Sequence, residues 1–138
     1  MSEPVLLANV GKPESWTLRA YEASGGYSAL KKVLKDLKPA DVKEQVKASG
    51  LRGRGGAGFP TGLKWTFLPQ NHPGPIYFCP NGDESEPGTF NNRILMEDDP
   101  HQVLEGMIIS CFATNASTAY FYMRYEYPLC YERIQKAI

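Results

Sequence analysis

Two stretches of this chain hold residues whose types and spacing could do chemistry. The first is SGLRGRGGAGFPTGLKW, residues 49–65, in which six positions are glycine. Glycines let a backbone adopt positive φ and approach a ligand closely with N–H groups aimed inward. A helix is expected just after them, and helix N-termini favour phosphate. Lys64 would sit one turn into that helix and could neutralise a phosphate charge. The second stretch is NGDESEPGTF, residues 81–90. Asp83, Glu84 and Glu86 crowd three carboxylates into four residues, and they repel one another unless cations or hydrogen-bond donors separate them. Such a loop can accept hydrogen bonds from ribose, ribityl or nicotinamide-amide groups. A divalent cation is a competing reading, because oxygen ligands suit calcium or magnesium, although a spaced Asp-x-Asp-x-Asp pattern is missing. A plain acidic turn is a third.

Familiar phosphate motifs do not describe the glycine stretch. Gly53-x-Gly55-x-x-Gly58 has the dinucleotide spacing, but that motif needs an apolar strand just before it. The preceding Lys47-Ala48-Ser49-Gly50 is polar and reads as a helix end. Gly53 and Gly58 have the P-loop gap, but Phe59 and Pro60 stand where lysine and a hydroxyl are required. RNA-binding RGG segments are repeated and disordered, and this is one copy between helices.

Helices and strands must position these loops. Tyr27, Leu30, Leu34 and Leu37 recur at helical spacing beside Val33, and Pro39 opens a second helix with Val42 and Val46. Residues 26–38 and 39–49 therefore read as a helical hairpin, and 1–25 as an arm. A short helix over 62–68 follows the glycine loop. Ile76-Tyr77-Phe78-Cys79 reads as a buried strand with the acidic loop directly after it. Loops at the carboxyl ends of parallel strands are where α/β sheets bind ligands. Asp99-Pro100-His101-Gln102 fits a helix start with a capping box. Its buried face is expected to be Val103, Leu104, Met107, Ile108, Cys111 and Phe112. Residues 119–123 read as a second strand. Pro128 opens a last helix with Leu129, Ile134 and Ile138 on one face. The pattern is α/β with parallel strands. Two strands make a poor sheet alone, so the chain is expected to be truncated, ending inside a fold.

Composition narrows the function classes. Fifteen Lys+Arg balance fifteen Asp+Glu, which argues against a general nucleic-acid binder or a membrane-surface protein. The charges separate locally, eight basic against three acidic over 31–54 and seven acidic against Arg93 over 83–105. A polar site built from both halves would use that asymmetry. No apolar run reaches the ~18 residues of a membrane span, and the opening residues do not read as a signal peptide. Cys79, Cys111 and Cys130 stand far apart, which points to a reducing compartment and to core cysteines. His72 and His101 call for no catalytic role, and Trp16 and Trp65 read as packing residues.

The two loops together resemble those of the FMN- and NADH-binding flavoprotein subunits of respiratory NADH–quinone oxidoreductase, the F-type subunits of complex I. Diaphorase subunits of NAD-linked hydrogenases and formate dehydrogenases are similar. The resemblance extends to WTL at 16–18, GGY at 25–27, EDDPH at 97–101 and EGM at 105–107. It implies part of a Rossmann-like FMN-binding domain over 26–138. By resemblance, Gly53, Arg54, Gly55 and Gly56 wrap FMN and Lys64 serves it. Asn81, Asp83, Glu84 and Ser85 meet the flavin from the strand end, Glu86 lies beside the nicotinamide, and Phe59 and Phe67 stack on the NADH adenine. Gly82 stands where the family often has alanine, which reads as harmless. Arg124-Tyr125-Glu126-Tyr127 resembles the family's RGEY with Tyr125 in place of glycine.

The implied chemistry is hydride acceptance from NADH by FMN, with electrons passed on to iron–sulfur clusters and no side chain acting as acid or base. No metal site is expected in this chain. The family's 4Fe-4S cluster belongs to a later Cys-x-x-Cys-x-x-Cys segment, which follows a second flavin-contacting segment and a ubiquitin-like domain. Implied partners are the other peripheral-arm subunits of complex I, notably the small 2Fe-2S subunit, with no nucleic acid and no membrane insertion. The implied location is cytoplasmic, on the inner face of the cell membrane, or the matrix side in mitochondria. The alternatives are an inactive truncated remnant and a diaphorase subunit of a hydrogenase or formate dehydrogenase. The 138-residue chain alone is expected to bind FMN weakly.

Overall fold

The computed structural model describes residues 4–69 and 71–138. After an irregular start come α1 (Leu18–Ala23), α2 (Ser28–Asp36), α3 (Pro39–Ala48) and α4 (Thr61–Thr66). Then follow β1 (Tyr77–Phe78), β2 (Asn81–Gly82), α5 (Asn91–Asp98), α6 (Pro100–Thr114), β3 (Thr118–Ala119), β4 (Tyr122–Met123) and α7 (Pro128–Ala137). The helical hairpin is α2 and α3. Asp41 fixes the start of α3 by accepting the Lys38 amide at 2.8 Å, and Pro39 needs no donor at the first helical position.

The strands pair in parallel, β1 with β3 and β2 with β4. Tyr77 faces Thr118 and Asn81 faces Tyr122, so both ladders share one register. Pro80 interrupts them because it has no N–H, although its carbonyl accepts the Tyr122 amide at 3.0 Å. The expected loop after Cys79 therefore holds a second short strand. Nor is the first strand buried on both faces. Phe78 and Gly82 turn toward the helices, whereas Tyr77, Cys79 and Asn81 are exposed on the opposite face.

Two small cores support this frame. Val33, Val42 and Ala113 join α2, α3 and α6, with Leu37, Val46, Trp65 and Phe112 packed around them. Met96, Cys130 and Ile134 join α5 and α7, with Phe121, Met123 and Tyr127 against them. Leu129 and Ile138 are exposed, so the buried face of α7 runs through Cys130 and Ile134. Cys79 is exposed and Cys111 only half-buried, which leaves Cys130 as the core cysteine. On α6, Leu104, Glu105, Ala113 and Thr114 are buried, while Ile108 is exposed.

The segment read as an arm is docked. Tyr21 of α1 is buried and donates to Glu105, and Asn9 donates to Asp99 at 2.9 Å. Trp16 lies under the Arg133 guanidinium at 3.5 Å, a cation–π contact with α7. The Asp99 cap of α6 forms, accepting the Gln102 amide at 3.4 Å. The reciprocal half of the capping box does not form. The Asp99 amide is taken by the Leu95 carbonyl at the end of α5.

Candidate functional site

The glycine loop is closed at its base. The Gly53 amide donates to the Phe59 carbonyl at 3.0 Å and the Thr61 amide to the Leu51 carbonyl at 2.9 Å. The Arg52 guanidinium donates to the Gly58 carbonyl at 3.0 Å, and Gly58 holds φ +68°. Only glycine takes that conformation cheaply. These bonds make residues 53–59 a compact loop with close ends rather than a slack tether. Gly55 and Gly56 have open space where a Cβ would stand.

Gly62 has a different duty. A Cβ there would lie 2.5 Å from the Lys47 backbone, so this glycine lets α4 close onto α3. The N-terminus of α4 is less available to phosphate than its sequence implies. The Thr61 amide is committed to Leu51, Gly62 is buried and the helix has six residues. The groups of this stretch that stay open are the loop around Gly55 and Gly56 and the Lys64 side chain on the cavity.

A cavity of about 640 Å³ joins the two stretches. Gly53, Gly55, Gly56, Phe59, Lys64 and Asn81 line it, together with Tyr77, Cys79 and Trp65. A neighbouring hollow of about 430 Å³ adds Asp83, Tyr120 and Tyr122. Both volumes fall in the range of small-molecule sites. The cavity runs from the glycine loop along the whole strand segment, where every residue from Ile76 to Asn81 contributes to its lining. No sequence period singles out Tyr77 and Cys79 as lining residues, because both faces of the segment reach the cavity.

The acidic loop separates its carboxylates by environment. Asn81 accepts the Asp83 amide at 2.9 Å, and Asp83 accepts the Ser85 hydroxyl at 2.6 Å. Glu84 does not face the cavity. It is 2 % exposed, and its carboxylate accepts the Asn92 and Arg93 amides at 2.5 and 3.1 Å, capping α5. Ser85 and Glu86 are exposed beyond the lining, and Arg54 is also outside it. Phe67 lies beside Phe59, ring centroids 5.9 Å apart and tilted by 58°, with both rings exposed. That spacing leaves no room for a base between them. Gly82 is no neutral stand-in for alanine, because a Cβ would meet Phe121 at 2.9 Å and Met96 at 3.0 Å.

Among the described residues no group of three or more His, Cys, Asp or Glu side chains is placed to hold a metal ion. No described helix is long and apolar enough to cross a membrane. The Cys130 thiol is pushed up to about 12, first by burial and then by Glu97, so it is no thiolate nucleophile.

Comparison with known proteins gives the family. Residues 46–138 match the Nuo51 FMN-binding domain family. The chain belongs to this family. It is 54% identical over 138 residues to the NADH-quinone oxidoreductase F-subunit 2 of Rhizobium meliloti, covering 100% of this chain and 33% of that one. It is 52% identical over 134 residues to the corresponding F-subunit of Aquifex aeolicus, covering 97% and 31%. A solved NAD+-reducing [NiFe]-hydrogenase in its air-oxidized state superposes with a TM-score of 0.73 and 33% identity, over 98% of this chain and 22% of that one. The chain thus spans about a third of the length of the curated relatives it matches.

Proposed function

We propose that this chain supplies the phosphate-facing and strand-end parts of an FMN site that serves NADH oxidation in a quinone oxidoreductase. The observation that carries the reading is the shared cavity of the closed glycine loop, Lys64 and Asn81. FMN, when bound, accepts hydride from the nicotinamide and passes its electrons on to iron–sulfur clusters. The chain's own residues bind and orient. Amides of the loop beyond Gly53, around Gly55 and Gly56, and the Lys64 ammonium meet the phosphate, while the Gly53 amide closes the loop on Phe59; Arg54 flanks them. Asn81 and Asp83 offer polar atoms to the ribityl and ring edges, with Ser85 holding Asp83. The Glu84 carboxylate contributes by fixing the loop rather than by touching ligand. Glu86 stands at the nicotinamide side, and the outer faces of Phe59 and Phe67 take the adenine.

Sequence identity weighs for the quinone-linked enzyme, at 54% against 33% and 41% for the solved hydrogenase structures. The complex would provide the small 2Fe-2S subunit as neighbour at the inner face of the cell membrane. The test compares FMN with riboflavin, which lacks the phosphate. The chain should bind both weakly, yet favour FMN by at least about tenfold, the scale of charge-assisted hydrogen bonds. Lys64→Glu should abolish most of that preference. Equal affinity of the parent chain for the two flavins would remove the phosphate site.

A further inference from the structure

The loop that carries Asn81, Asp83 and Glu86 is anchored from a distant part of the chain. Because β2 and β4 run parallel in one register, the residues that follow them leave the same end of the sheet. Arg124 is the first residue after β4. Its Nη1 donates to the Glu84 carbonyl at 2.6 Å, across forty positions of sequence. The rest of its guanidinium is held by Glu126, with Nε at 3.2 Å and Nη2 at 2.7 Å. Such a two-pronged arrangement fixes the plane of the fork. The Tyr127 ring lies 5.9 Å from the Arg124 guanidinium and 5.3 Å from that of Arg93. Arg93 is also one of the two residues whose amides the Glu84 carboxylate caps. Glu84 is thus gripped twice, by its side chain on α5 and by its carbonyl on Arg124.

We propose that Arg124, oriented by Glu126, is a positioning residue that fixes the acidic loop for the flavin ring and ribityl chain. The inference rests on the flavin reading above. It assigns Arg124 no contact with phosphate, so it separates from Lys64. Loss of Arg124 frees the Glu84 carbonyl and lets the backbone between Asn81 and Glu86 wander. Ligand atoms shared by FMN and riboflavin then lose their partners equally.

The experiment compares the parent chain with Arg124→Gln, Arg124→Lys and Glu126→Gln. Amide hydrogen exchange over 82–86 is read without ligand, and FMN and riboflavin affinities are read by flavin fluorescence. Arg124→Gln should speed exchange over 82–86 by about tenfold, the scale of one charge-assisted bond, while α3 and α6 keep their protection. It should weaken FMN and riboflavin by the same factor. Arg124→Lys should restore part of both effects, and Glu126→Gln should give a smaller version of them. Unchanged exchange over 82–86 would overturn the proposal, as would a selective loss of FMN over riboflavin. If Arg124→Gln fails to fold, the lysine and Glu126 variants decide by the same readouts. If the parent binds neither flavin, the flavin reading falls and the exchange data alone decide whether Arg124 holds the loop.

Discussion

Glu84 and Glu86 stand two residues apart and have opposite fates. Glu84 is buried and spends both carboxylate oxygens on backbone amides of α5. Glu86 is exposed, and its carbonyl closes a turn with the Thr89 amide at 3.1 Å. Sequence alone could mark the carboxylate cluster but could not divide it, because the cap on α5 links positions eight and nine residues apart. The glycine stretch with Lys64 and the acidic loop with Asn81 were legible as two separate candidates, and the fold puts them on one cavity. The commitment of Gly62 to helix packing was not legible, because it depends on where α3 lies. Glu86 is the exposed carboxylate that we propose for the nicotinamide side. NAD⁺ carries a positive ring and NADH a neutral one, so a nearby negative charge favours the oxidised form. Glu86→Gln keeps the shape and removes the charge. In flavin-loaded protein it should raise NADH affinity relative to NAD⁺ by about two- to fivefold, the scale of an exposed charge pair. FMN content should stay constant. Direct titration of both nucleotides decides, and an unchanged ratio or a loss of flavin would place Glu86 outside the nicotinamide site.

Helices announced themselves where proline and apolar spacing agreed, as in α3, α6 and α7, each with proline at its start. Helices α1 and α5 gave no comparable signal. Each buries a single side chain, Tyr21 and Met96 respectively. Phe90 supplies no side-chain cap to α5, and the cap arrives from Glu84 instead. The strand break at Pro80 was equally hidden, since the ladder resumes in register beyond it. Packing of α4 on α3 is what holds the glycine loop's downstream end, and it depends on one missing methyl group. Gly62→Ala places a Cβ within 2.5 Å of the Lys47 Cα and backbone nitrogen, which cannot swing aside. Overpacking of this kind costs about 1–3 kcal/mol. The urea midpoint should drop accordingly, and flavin affinity should fall with it. Gly56→Ala, which meets nothing within 4 Å, should leave the midpoint nearly unchanged. Equal midpoints for the two variants would remove the close-packing role.

At the scale of the whole molecule, the N-terminal segment and the sheet domain meet on α6 through buried polar groups. Glu105 accepts the Tyr21 hydroxyl and the Tyr27 and Leu30 amides, the latter two at 2.9 Å. Burial, and then Glu105, hold the Tyr21 phenol un-ionised far above its usual range. The Tyr27 hydroxyl and His101 Nδ1 share a hydrogen bond of 2.9 Å. Burial lowers the His101 pKa, with Asp99 and Glu22 opposing it. Burial raises that of Asp99, against the pull of Asn9 and the Gln102 amide. The two shifts act in opposite senses. A depressed imidazole takes its proton in the unfolded chain first, so folding weakens as pH falls below the unfolded value near 6.5. A raised carboxyl takes its proton in the folded chain first, so its contribution grows as pH falls through its folded value. The first window opens at higher pH, which makes His101 the group to read between pH 7.5 and 5.5. His101→Gln keeps a polar partner for Tyr27 and leaves Asp99 in place, so the difference between variants isolates the imidazole. The melting temperature of the parent should fall over that interval, and that of His101→Gln should fall less. Parallel pH profiles would mean that His101 is as easily protonated in the docked structure as in the unfolded chain.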